Sequence, residues 1–88
     1  MNINGYELQL TCGSCPEQYD VFYNGDLLGY LRLRHGCFRV QYPYVGGEVI
    51  YEAWPKGNGL FESEEREYYL NEAVRAIDNH RKIIKIFH

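Results

Sequence analysis

The sequence has no apolar run long enough to cross a membrane. The longest apolar stretch near its end, residues 83–87, is interrupted by Lys85 and is far shorter than the roughly 20 residues that a membrane-spanning helix needs. The first ten residues also lack the basic start and apolar centre of a secretory signal. We therefore expect a soluble protein that does not associate with membranes.

Positive charge and cysteine are also in short supply. The formal net charge is −3, so no overall basic field attracts nucleic acid, and any site for an anion has to come from local clustering. Three cysteines cannot all pair within one chain, which favours free thiols in a reducing compartment. These observations predict a cytoplasmic protein and disfavour a nucleic-acid partner.

Recognisable catalytic motifs are missing as well. The three histidines are scattered, and the glycines on either side of Asn58 lack the lysine and the preceding strand of a phosphate-binding loop. The glutamates between positions 64 and 72 fit the start and the solvated face of a helix. We expect no catalytic residues and no enzymatic activity.

What the sequence does contain is a regular alternation of apolar and polar residues. Alternating segments separated by turn residues predict an antiparallel meander of four or five strands within a single domain, residues 1–88. Asn24-Gly25 is a strong hairpin signal. A two-residue loop there would place Asp20 on the apolar face, so we expect a three-residue loop that includes Asp26, with a bulge.

The C-terminal part of the chain has a helical pattern. Ser63 is a predicted N-cap, and the glutamates that follow it suit the positive end of a helix dipole. Apolar residues then recur at helical spacing, which provides one stripe that can cover the sheet. The expected fold is therefore α+β, with one C-terminal helix packed on one face of the sheet. The stripe consists of Leu70, Ala73, Val74 and Ile77, with Ile84 as a further candidate member.

The segment 30–41 is the most informative part of the chain, because it reads as a hairpin whose two faces differ in chemistry. With His35-Gly36 as a two-residue turn, Arg32 faces Arg39 across the strands. Arginine forks match phosphate and carboxylate groups and stack on aromatic rings. The alternative is a solvated face on which Asp20, Glu48 or Glu52 neutralises the arginines. The predicted ligand-binding residues are Tyr30, Arg32, Arg34, His35, Arg39 and Gln41.

A second group of residues could bind zinc. Cys12 and Cys15 have the spacing of half a tetrahedral site, and His35 with Cys37 could complete it. The single residue between His35 and Cys37 is not the spacing of a zinc knuckle. A redox dithiol would need its first cysteine at the start of a helix, whereas Pro16 leads into a strand. We favour free thiols at a turn over both of these alternatives. We expect no resident cofactor, with zinc as the weaker alternative.

Part of the chain resembles a known group of proteins. The segments CPEQYDV (15–21) and GYLRLRHG (29–36), with Phe38, resemble a pattern in small uncharacterised proteins encoded in bacteria, phages and other mobile elements. The resemblance covers about residues 12–54 and names no activity. It implies a small phage-type protein that blocks host machinery or host defence by binding, in some cases by sequestering a nucleotide signal.

Together these features lead to one expectation and two alternatives. The first is a binding protein that holds an anionic, nucleotide-like small molecule on its arginine face, in a groove closed by a second subunit, since a single sheet buries too little of a small ligand. The second is an inhibitor that binds an acidic host protein. The third is a zinc-stabilised nucleic-acid-binding module.

Overall fold

A six-stranded antiparallel sheet and one C-terminal helix make up the computed structural model, which describes residues 1–12 and 16–87. The expected α+β class and the helix on one face are confirmed. The sheet has six strands where four or five were expected. In chain order the elements are β1 (Asn2–Ile3), β2 (Tyr6–Cys12), β3 (Glu17–Tyr23), β4 (Asp26–Arg34), β5 (Cys37–Tyr42), β6 (Glu48–Ala53) and α1 (Ser63–Phe87).

The additional strand is β1, which pairs with β2 through a tight turn. Asn4 and Gly5 form this turn with φ angles of 52° and 90°. Asparagine and glycine are the residues that most readily adopt such angles. Two residues are too few to display alternation, so the pattern that predicted the other strands did not reveal β1.

The hairpin between β3 and β4 differs from the expectation in its loop. Asn24 and Gly25 alone form the turn, with φ angles of 51° and 85°, and Tyr23 pairs with Asp26. The predicted three-residue loop was therefore wrong. A bulge still exists, but it lies at Leu28, inside β4.

The displaced bulge has the effect on Asp20 that was expected of the longer loop. Asp20 lies opposite Tyr30, one position from the pair formed by Val21 and Gly29 at the core. The bulge also exchanges two leucines: Leu28 packs against the core, whereas Leu27 is 39% exposed. The faces of β3 and of the second half of β4 are thus those that the alternation predicted.

The N-cap of the helix lies one residue earlier than expected. The carbonyl of Glu62 accepts the first hydrogen bonds, from the amides of Glu65 and Arg66, so Glu62 and not Ser63 is the N-cap. The Glu65 carboxylate returns to the Glu62 amide at 3.0 Å, as in a capping box. It also accepts from the amides of Lys56 and Gly57, so it secures the preceding loop to the helix.

The core lies between the helix and the inner face of the sheet. The helix packs over β4, β5 and β6, and Gly29 permits this approach, since a Cβ there would lie 2.7 Å from Cδ1 of Ile77. No helix in residues 1–12 and 16–87 combines the length and apolarity that crossing a bilayer requires. The buried apolar residues are Tyr6, Leu8, Tyr19, Val21, Leu31, Leu33, Phe38, Val40, Phe61, Leu70, Ala73, Val74 and Ile77.

One carboxylate, that of Glu17, is buried with them at 3% exposure. It accepts hydrogen bonds from Nε of Arg66 at 2.9 Å, from the Phe61 amide at 3.0 Å and from the Tyr19 hydroxyl. Burial works to raise the pKa of Glu17, but the hydrogen bonds from Arg66, Tyr19 and Phe61 outweigh it and lower the pKa below its usual value. Glu17 is therefore a charged group within the core that links β3 to the start of α1.

Candidate anion-binding site

The face of the sheet opposite α1 carries the arginines. No helix or strand in the described part of the chain covers this face. The turn at His35 and Gly36 has φ angles of 53° and 75°, and it sets the predicted register, in which Arg32 pairs with Arg39 and Arg34 with Cys37. The expected hairpin geometry is confirmed.

Five side chains at this hairpin surround one shallow depression of about 320 Å³. We call it the arginine concavity. It brings together three guanidinium groups because Arg32 and Arg39 are cross-strand partners and Arg34 lies two residues further along the same strand, on the same face. The arginine concavity is lined by Arg32, Arg34, His35, Cys37 and Arg39.

Only part of this positive charge is neutralised. Nε of Arg39 donates to the Glu52 carboxylate at 2.8 Å, and this hydrogen bond raises the pKa of Arg39. Neither Arg32 nor Arg34 forms an ion pair with any residue that the structure describes. Of the acids Asp20, Glu48 and Glu52 that could neutralise the arginines, only Glu52 forms an ion pair with one of them, Arg39, within the described residues.

Two of the predicted ligand-binding residues lie outside the concavity. Tyr30 and Gln41 pair with each other one row away, two residues along each strand from Arg32 and Arg39. The Gln41 side chain donates to the carbonyl of Gly47 at 3.3 Å, which commits it to the loop before β6. The residues that the fold gathers are Arg32, Arg34, His35 and Arg39.

A neighbouring depression was not anticipated from the sequence. It has a volume of about 560 Å³ and shares Arg34 and His35 with the arginine concavity. We call it the amide concavity. One signal in the sequence pointed to it, because Gln18 alternates onto the same face as Asp20 and is the cross-strand partner of Arg32. The amide concavity is lined by Pro16, Gln18, Arg34, His35, Asn58 and Gly59.

The possible zinc ligands are only partly within view. Cys15 and the side chain of Cys12 lie outside the described residues. His35 and Cys37 both line the arginine concavity, and the Cys37 thiol donates to Glu52 at 3.9 Å. Among the residues that the structure does describe, no cluster of three or more histidine, cysteine, aspartate or glutamate side chains could hold a metal ion.

Comparisons with known proteins add no relative. The chain matches no protein-family model, no curated protein and no solved structure. The class that the fold and the site define is thus a small α+β domain with an antiparallel meander, one covering helix and an open face bearing arginines.

Proposed function

We propose that this protein is a non-enzymatic binding protein that holds an anionic ligand in the arginine concavity. One observation carries the proposal: three arginines and a histidine line a single depression, and two of the three arginines form no ion pair with an acid within the described residues. Like charges placed on adjacent strands repel each other, so an anion between them stabilises the arrangement.

The ligand that suits these groups best carries phosphate. A guanidinium group presents a planar fork of donors that matches two oxygens of a phosphate, and several forks around one depression suit a polyphosphate better than a single carboxylate. The protein as a whole is acidic, with a formal net charge of −3, so the attraction is local to this face. A nucleotide-like small molecule meets these requirements.

The biological role that we propose is sequestration. The resemblance to small phage-type proteins suggests a cytoplasmic antagonist of host defence that removes a nucleotide signal by binding it. The arginine concavity, at about 320 Å³, lies at the small end of the range of roughly 300–1,000 Å³ for ligand pockets. A homo-oligomer in which a second subunit closes the open side is therefore part of the proposal, and native mass spectrometry would report both the subunit number and any retained ligand.

Charge reversal at Arg32 tests the proposal. We expect Arg32→Glu to abolish the binding of inorganic triphosphate measured by isothermal titration calorimetry. Its thermal stability should be unchanged or higher, since the repulsion from Arg39, worth about 0.2–1 kcal/mol, is removed. The matched control is Arg75→Glu, which makes the same charge change at an exposed helix position whose partner is Glu72. Equal loss of binding in both variants, or no triphosphate binding by the wild type, would contradict the proposal.

A second candidate is inhibition of an acidic host protein through the same face. The observation that favours it is Trp54, which follows directly on β6 and is 71% exposed. Tryptophan and arginine are both enriched at the centres of protein interfaces. A salt-sensitive complex with one purified host protein, lost in Arg32→Glu and formed in the absence of phosphate ligands, would favour this candidate over small-molecule binding.

A further inference from the structure

We infer that the amide concavity is the second half of the ligand site and holds the ribose and base of a nucleotide whose phosphates lie in the arginine concavity. This inference rests on the proposed function and adds the class of ligand. The observation behind it is that the two depressions are neighbours and share two lining residues, Arg34 and His35. A ligand bound by Arg32, Arg34 and Arg39 therefore has an adjoining space on one side.

The two depressions differ in chemistry in the way that the two halves of a nucleotide differ. Every ionisable side chain that lines the amide concavity also lines the arginine concavity, and the four other lining residues are uncharged. Among those four, Gln18 and Asn58 each offer an amide donor and an amide acceptor, the groups that pair with a base edge. The Arg34 guanidinium, between the two halves, can stack on a base.

The walls of the amide concavity are held in place before any ligand binds. The loop that carries Asn58 and Gly59 is hydrogen-bonded to the sheet at two points. The Glu17 amide donates to the carbonyl of Gly59 at 2.7 Å, and the Gly36 amide donates to the carbonyl of Asn58 at 2.7 Å. Both bonds use main-chain groups, so the side chains of Gln18 and Asn58 can be changed without breaking them.

The buried carboxylate of Glu17 also holds the end of this loop, through hydrogen bonds at Phe61. Its carboxylate accepts from the Phe61 amide at 3.0 Å, and Arg66 spans the Glu17 carboxylate and the carbonyl of Phe61. The loop is therefore attached to β3, to the hairpin turn and to α1. A site with rigid walls loses little conformational entropy on binding, which favours recognition of one ligand shape.

Two probes that share a phosphate chain separate the two halves of the site. Inorganic triphosphate carries only the phosphates, whereas each of the four ribonucleoside triphosphates adds ribose and base. By isothermal titration calorimetry we expect at least one ribonucleoside triphosphate to bind the wild type at least about 10-fold more tightly than inorganic triphosphate.

The variant that tests the amide concavity is the double substitution Gln18→Ala with Asn58→Ala. We expect it to reduce the affinity for that nucleotide to the affinity for inorganic triphosphate, and to leave inorganic triphosphate binding unchanged. Gln9→Ala is the matched control, because Gln9 pairs with Asp20 on an adjacent strand and lines neither concavity. Arg32→Glu should weaken the binding of both inorganic triphosphate and the nucleotide.

The outcomes distinguish failure of this inference from failure of the proposed function. If inorganic triphosphate binds as tightly as all four nucleotides, or the double variant keeps the full nucleotide preference, the amide concavity has no role and the anion site stands. If no probe binds the wild type, the proposed function fails and this inference fails with it. If a variant unfolds thermally at the same temperature as the wild type, its loss of affinity reflects a change in the site and not in the fold.

Discussion

Glu17 lies in surroundings that are unusual for a carboxylate, since it is only 3% exposed. Carboxylates are rarely buried without a partner, and this one has a bidentate arginine, a tyrosine hydroxyl and a main-chain amide. The fold brings Arg66 and Phe61 close to Glu17, since they lie 49 and 44 positions away along the chain, whereas Tyr19 is a neighbour on the same strand. The pair orients the loop before α1 as well as the helix start.

Removal of Arg66 should therefore destabilise the fold strongly. Arg66→Ala leaves the Glu17 carboxylate buried without its charged partner, and we expect the free energy of unfolding to fall by about 3–5 kcal/mol in urea denaturation. Arg75→Ala on the same helix breaks an exposed pair with Glu72 and should cost less than about 0.5 kcal/mol. Similar losses in the two variants would show that the burial of Glu17 has no energetic consequence.

The lowered pKa of Glu17 also predicts an acid sensitivity. In the unfolded chain this carboxyl binds its proton near pH 4.5, and in the native protein only at lower pH, so the unfolded state binds more protons in that interval. The associated stability is complete above about pH 5.5 and is lost as the pH falls below 4.5 towards the native pKa.

Urea denaturation at several pH values checks this sign. The wild type should lose more stability than Glu17→Gln between about pH 6 and about pH 3, because the amide does not titrate. The variant is expected to be less stable than the wild type near neutral pH. Parallel pH profiles for the two proteins would assign the acid sensitivity to other carboxylates. Asp78 is one of these, because hydrogen bonds from Lys82 and Tyr6 lower its pKa as well.

At the level of whole elements, the sheet and the helix approach each other closely at Gly29. The helix residue above it is Ile77, which is fully buried, so there is little room for either side chain to move. A larger residue in the sheet has to displace the helix or force Ile77 into another rotamer. The absence of a side chain at position 29 thus decides how near α1 lies to β4.

Substitution at these two positions should be non-additive. Gly29→Ala is expected to cost about 1–3 kcal/mol through overpacking, and Ile77→Val alone about 0.5–1.5 kcal/mol. The double variant should be more stable than the sum predicts by at least about 0.5 kcal/mol, since valine lacks the Cδ1 that clashes. As a control, the stability changes of Ile3→Val, in β1, and Gly29→Ala should be additive. Equal coupling energies for Gly29 with Ile77 and for Gly29 with Ile3 would contradict the close contact.

Across the whole molecule, the two halves of the inner face of the sheet are covered in different ways. The helix packs over β4, β5 and β6. Towards β2 and β3 the closure comes from stacked Tyr6 and Tyr23, with the guanidinium of Arg81 4.3 Å from the Tyr23 ring centroid and hydrogen-bonded to the Tyr6 hydroxyl. The central strands have neighbours on both sides, whereas β1 is a two-residue edge.

Hydrogen exchange should be slower in the central strands than in the edge strand β1. We expect the paired amides of Leu31 and Leu33, in β4, to exchange only through global unfolding, at least about 100-fold more slowly than the amide of Ile3 in β1. Strands paired on both sides and covered by α1 cannot open without loss of the core. Equal protection of β1 and β4 in NMR-detected exchange would instead mean that the sheet opens as one unit.

Local patterns in the chain were sufficient for the strands other than β1 and for the faces of the hairpins. Alternation placed Leu31, Leu33, Phe38 and Val40 in the core, and the His35-Gly36 turn set the pairing of the arginines. The loop at Asn24 was mispredicted because a bulge at either position leaves Asp20 on the open face. The same alternation put Glu17 on the inner side with Tyr19, a sign of its burial that went unused.

The arginines share one face because side chains alternate along a strand and two-residue turns set the register, and both rules act over a few neighbouring residues. The bonds of Glu17 to Arg66 and Phe61 and the amide concavity follow no such rule. They depend on contacts between distant segments, above all the loop at Asn58 and Gly59 hydrogen-bonded to the sheet. Such contacts form only when the chain packs, so no short stretch of residues encodes them.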